Sequence, residues 1–251
     1  MPTLARRSVV DLHAIHADVW HAHALSHMPL PVLATGDAAL DAQLPGGGWP
    51  IGALTEILQP PGVHSEWRLL LPALVHCGHG PVVLVGAPHL PFAPALAAQG
   101  LLAQRLLWVN IAAAAARLWA CEQALRCAEV NAVLAWLPQA RSEQLRRLQM
   151  AAAEYHKLLF VMRPALAQDE ASPAALRLHL QPLSAEVPQG RTVASGTAAT
   201  PPQQPCDALQ LQLLKRRGPP LDQALHLQAR GARMNLLLAA AHALDRSTAR
   251  S

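Results

Sequence analysis

Residues 130–162 read VNAVLAWLPQARSEQLRRLQMAAAEYHKLLFVM. Two short, continuous apolar runs, 132–137 and 158–162, flank a helix-forming segment at 142–156. Runs of that length and character are strands buried on both faces, and strands joined through a helix lie parallel. Outward from this unit the alternation continues. Strand 106–109 precedes a long alanine-rich helix at 112–128, and strand 82–85 precedes a helix at 91–99. Strand 53–58 (ALTEIL) leads through a loop at 59–65 into helix 66–77, where Trp67, Leu70, Leu71 and Leu74 recur at helical spacing. The expected fold is α/β, with a mostly parallel sheet between helices and every strand of this series buried on both faces.

Beyond Met162 only strands follow, at 176–181, 208–214 and 224–228, which predicts an antiparallel or mixed extension. The segment 184–206 is rich in Pro, Gln, Gly, Ser and Thr and reads as a flexible loop within the core. The expected organisation is a helical leader at 1–30, a core at 31–230, and a C-terminal helix and tail at 231–251.

Composition narrows the function. Hydrophobic residues make up 52% of the 251, too many for a disordered chain. Charged residues make up only 14%, and a surface so poor in charge is one that partners tend to cover. The net charge of 20 − 16 = +4 permits acidic partners without demonstrating nucleic-acid binding. No apolar run reaches the length that spans a bilayer, and the N-terminal segment lacks the apolar stretch of a signal peptide. A cytoplasmic protein without membrane contact is expected. Lys157 and Lys215 are the only lysines. Cys77, Cys121, Cys127 and Cys206 form no CxxC pair, so reduced thiols are expected, with Cys121 and Cys127 packed within their helix. His13 and His16 stand one helical turn apart in the leader, but nothing nearby completes a ligand set. His64, Ser65 and Glu66 are contiguous, an arrangement that does not make a triad. Trp49, Trp108, Trp119 and Trp136 read as core or interface anchors.

The most specific passage lies ahead of the first core strand: Thr35-Gly36-Asp37, Leu40-Asp41, Leu44-Pro45-Gly46-Gly47-Gly48-Trp49-Pro50-Ile51-Gly52 and Thr55-Glu56-Ile57. It resembles the lead-in to the recombinase core of the RecA family. Its Leu-Pro-Gly-Gly-Gly-Trp-Pro form is similar to that of the ImuA family, RecA-like accessory proteins of bacterial translesion synthesis. The resemblance implies a RecA-like core and a non-enzymatic adaptor in the SOS response. It implies as partners an ImuB-like Y-family polymerase homologue, RecA itself and, through the complex, an error-prone DNA polymerase III alpha subunit. The alternative is a cell-division inhibitor resembling SulA, which binds FtsZ; the glycine-rich motif and the chain length favour the adaptor.

In that family the next loop binds phosphate through GxxxxGK[ST], whose amides, lysine and hydroxyl hold phosphates and Mg²⁺. The matching positions here are Gln59, Pro60, Pro61, Gly62, Val63, His64, Ser65 and Glu66. The prolines lack amide donors, no lysine is present, and Glu66 would repel a phosphate. Pro88 stands where the family has its catalytic glutamate, Trp136 where it has the Walker B aspartate, and Arg163 where it has the switch glutamine. A degenerate P-loop, no ATPase activity and no cofactor are therefore expected.

DNA contact is expected to be weak or absent. The first DNA loop shrinks to Pro138-Gln139-Ala140-Arg141, and the second, at 164–173, contains Asp169 and Glu170. Arg141, Arg146 and Arg147 are open to two readings, phosphate contact or a solvated helix face. Two partner-binding hypotheses remain. In RecA a Lys-x-Lys pair ends the strand matching 209–215 and crosses to the neighbouring subunit's ATP; Lys215 and Arg217 occupy those positions here. Leu236, Leu237 and Leu238 give apolar mass to the C-terminal helix, which docks either on a partner or on its own core.

Overall fold

The computed structural model describes residues 30–182, 208–218, 221 and 223–228. The expected leader helix with His13 and His16, the loop at 184–206 with Cys206, and the C-terminal helix with Leu236, Leu237 and Leu238 lie outside the described residues.

The strands are β1 (Val32–Leu33), β2 (Trp49–Pro50), β3 (Ala53–Gln59), β4 (Val82–Val85), β5 (Leu106–Val109), β6 (Ala132–Trp136), β7 (Leu158–Pro164), β8 (Leu176–Pro182), β9 (Ala208–Lys215) and β10 (Leu225–Gln228). The helices are α1 (Ala38–Asp41), α2 (Glu66–His76), α3 (Ala93–Ala98), α4 (Ala114–Arg126) and α5 (Ser142–Glu154). Eight strands form one sheet in the order β10-β9-β8-β3-β7-β6-β4-β5. The pairings from β8 through β3, β7, β6 and β4 to β5 are parallel, and β9 and β10 add antiparallel strands at the far side. This is the expected α/β architecture, and it fits a RecA-like core.

The period of two along each strand sorts side chains onto two buried faces. Val82, Leu84, Leu134, Phe160 and Met162 pack on one face with Leu40, Leu70, Leu74 and Leu96 from α1, α2 and α3. Val83, Val85, Val133, Leu159 and Val161 pack on the other with Cys121, Leu125, Leu145 and Leu148 from α4 and α5. Each fully buried Leu or Phe contributes about 1.5–3 kcal/mol, which is why continuous apolar strands settle in the middle of three layers. Among the described residues no helix is long and apolar enough to cross a membrane.

The lead-in motif does structural work that the sequence leaves hidden. Asp37 caps α1, its Oδ1 accepting from Ala39 N–H at 2.9 Å and Leu40 N–H at 3.0 Å, while Asp41 accepts from Thr35 N–H at 2.8 Å. Gly47 has φ +81°, a left-handed conformation that favours glycine. Gly48 passes so near β1 that a Cβ there would fall 2.3 Å from the Leu33 carbonyl oxygen. The glycines thus let the chain turn and lay β2 against β1, which sends Trp49 into the core edge-on to Phe160, ring centres 5.5 Å apart.

One strand departs from expectation. β5 is not buried on both faces: it is the outermost strand, with Leu107 48% and Trp108 41% exposed. Its apolar sequence alone does not distinguish an edge from a centre. Trp49 and Trp136 are core residues, whereas Trp108 and Trp119 stand at the surface. Cys121 is buried in α4 as expected, but Cys127, just past the helix end, is exposed rather than packed.

Candidate functional site

The carboxyl ends of β3, β4, β6 and β7 surround a cleft of about 430 Å³. Open parallel sheets bind ligands at such strand ends. Gln59, Gly86, Trp136 and Arg163 close its base, and the loop from Pro60 to His64 forms one wall. Arg117 of α4 lies across Gly86, whose hydrogen leaves room for the guanidinium stem, and its Nε donates to the Ile111 carbonyl at 2.5 Å. A second cleft of about 400 Å³, running toward Arg141, shares Arg117, Trp136 and Pro138 with the first.

The loop that matches a phosphate loop is braced by its own side chains. Gln59 Nε2 donates to Glu66 Oε2 at 2.9 Å, and Gln59 Oε1 accepts from Ser65 N–H at 2.8 Å. All three residues are buried. Pro60 and Pro61 have no N–H, and the Val63 N–H turns back to the Pro60 carbonyl at 3.1 Å. Pro60 and Pro61 therefore offer a phosphate no amide, and the Val63 and Ser65 amides are engaged within the loop. Glu66 begins α2, where the helix dipole favours a negative charge and an anionic ligand would otherwise sit. The loop meets the β4–α3 connection through His64 and His89, whose rings stack edge to face with centres 4.9 Å apart.

Beneath the cleft lies an ion cluster that the sequence reading missed. Glu56 of β3 is fully buried; its Oε1 accepts from Arg163 Nη1 at 2.8 Å and its Oε2 from Arg177 Nε at 2.6 Å. Arg163 Nη2 reaches Glu170 at 2.6 Å, and the remaining Arg177 nitrogens donate to the Ala167 and Gln168 carbonyls at 2.8 and 3.0 Å. Two arginines and two glutamates balance, which allows charges to be buried. Burial opposes the charge on Arg163, but hydrogen bonds and charge from Glu170 and Glu56 outweigh it and hold the guanidinium above its ordinary range. Glu170, which follows the short helical turn after β7, ties that turn to Arg163. No local sequence signal marks the cluster: Glu56 meets Arg163 because β3 pairs with β7, and Arg177 because β3 pairs with β8.

The other expected residues are scattered. Lys215 Nζ donates to the Ser172 carbonyl at 3.0 Å at the end of β9, and Arg217 is exposed just beyond. Lys157 donates to the Ala128 and Val130 carbonyls at 2.7 and 2.6 Å, so neither lysine enters the cleft. Arg147 pairs with Glu122 at 2.7 Å, which accords with a solvated helix face at that position. Among the described residues no three metal-ligating side chains gather. No protein-family model matches the chain, and no curated protein matches it either.

Proposed function

We propose that this protein is a non-enzymatic, cytoplasmic adaptor of SOS-induced translesion synthesis that works without nucleotide. The observation that carries the reading is the phosphate-loop position held shut by Gln59 on Glu66 and Ser65. A triphosphate entering there meets a carboxylate and prolines instead of a lysine and free amides. The Arg163 guanidinium, at the position of the family's nucleotide switch, is instead paired with Glu56 and Glu170. The resemblance of the lead-in passage to the ImuA family supplies the partners: an ImuB-like Y-family polymerase homologue, RecA, and the error-prone DNA polymerase III alpha subunit through that complex.

The test has two parts. Titration with ATP and Mg²⁺ is expected to give no saturable binding at physiological nucleotide concentrations. Capture assays with purified ImuB, RecA and FtsZ are expected to retain ImuB and RecA. A tight ATP isotherm would overturn the nucleotide-free reading, and capture of FtsZ alone would replace the adaptor with a SulA-like inhibitor. Lys215 and Arg217 carry the RecA contact in this reading. Charge-assisted hydrogen bonds contribute about 1.5–3 kcal/mol each, so the Lys215→Ala, Arg217→Ala double variant weakens capture of ATP-bound RecA by about tenfold or more.

A further inference from the structure

β5 pairs on one side with β4, and no strand of the described residues lies beyond it. In a parallel ladder each residue points its N–H and C=O to the same side, and the side alternates along the strand. Gly86 N–H donates to the Val109 carbonyl at 3.0 Å, so Val109 and Leu107 face β4. Trp108 and Asn110 therefore turn their backbone groups outward, as does the Leu106 carbonyl, while the Leu106 N–H is taken up by the Ala103 carbonyl. An open edge of this kind is a template for another strand, and proteins usually blunt it with charge, proline or a bulge. Here residues 106–116 contain neither charge nor proline. The nearest cation, Arg105, is turned inward onto the Gly80 and Val75 carbonyls and Cys77 Sγ.

We propose that the β5 edge is a homodimer interface, in which two copies pair their β5 strands antiparallel about a two-fold axis perpendicular to the sheet. The occupant is set by self-complementarity. The Trp108 N–H and C=O, the Leu106 C=O and the Asn110 N–H are the groups such a pairing uses, so the two-fold axis places Trp108 opposite the partner's Trp108 and the Leu106 carbonyl opposite the partner's Asn110 N–H. In the same register Leu107, 48% exposed in the single chain, meets the partner's Val109 on the opposite face. Trp108 meets Trp108 and Leu107 meets Val109 along the seam, and no like charges are opposed, which favours edge pairing. A two-fold contact of one edge with itself closes after two copies.

Sedimentation velocity over a wide concentration range tests this with the full chain. The expected result is a concentration-dependent species of twice the 26.8 kDa chain mass. Trp108→Lys places two cations at the axis and is expected to weaken dimerisation about tenfold or more. Trp119→Lys, an exposed position on α4, is expected to leave the dimer intact. Hydrogen exchange supplies a readout that does not depend on how the variants fold. In the wild-type protein the Trp108 and Asn110 amides gain protection as concentration rises. A wild-type chain that stays monomeric, or those two amides exchanging freely in a dimer, would overturn the proposal. So would a folded Trp108→Lys variant that still dimerises.

Discussion

Gln59 and Glu66 are joined across the first cleft loop by a buried hydrogen bond of 2.9 Å, with the same amide group accepting the Ser65 N–H. One side chain thus satisfies a carboxylate and a backbone donor together. Gln59→Ala leaves both without partners, at a cost of about 1–3 kcal/mol. For a chain of this size that lowers Tm by roughly 2–10 °C, measurable by differential scanning calorimetry. ATP titration of the same variant is expected to remain flat, because opening the brace restores neither a lysine nor the amides that Pro60 and Pro61 lack.

The Glu56 cluster should respond unequally to its two acids. Glu56→Gln removes the charge that both Arg163 and Arg177 face inside the sheet, and breaking a buried pair costs about 3–5 kcal/mol. Glu170 is 56% exposed, so its pair with Arg163 is screened and Glu170→Gln is expected to cost about 1 kcal/mol or less. Urea denaturation of the two variants measures the difference. Equal midpoints would mean that the cluster is not held as a unit.

Gly48→Ala tests the close approach of the glycine-rich turn. The added methyl meets the Leu33 carbonyl carbon and oxygen, backbone atoms of β1 that cannot swing aside. Overpacking of this kind costs about 1–3 kcal/mol. Gly47→Ala meets no atom within 4 Å, and its cost is the left-handed φ alone, about 1–2 kcal/mol. Thermal unfolding of both variants separates contact from conformation.

The thiols are expected to label in sequence. Burial pushes Cys121 up to about 12, with the charge of Glu122 adding to it, so at pH 8 it is a covered, protonated thiol. Burial also raises Cys77, against the pull of Arg105. Cys127 is exposed. Mass spectrometry after a timed alkylation at pH 8 should find Cys127 modified first and Cys121 about a thousandfold slower, until denaturant is added.

The strand and helix series from Ala53 to Met162 was legible in the sequence because buried strands in a parallel sheet need unbroken apolar runs. Their spacing, with helices between, leaves few other arrangements. That residues 59–66 lack the GxxxxGK[ST] pattern was also legible, because phosphate binding of that kind needs particular residue types whose absence can be read directly. What the tertiary structure alone decided was the order of the strands. That order makes β5 an edge although LLWV reads like a central strand, and it brings Glu56 against Arg163 and Arg177, more than a hundred residues away. It also turns Glu66 from a group that merely repels phosphate into one held by Gln59. Local sequence encodes burial and period, which are properties of one segment. Edges and buried charge pairs are properties of neighbours, and neighbours exist only once the sheet has formed.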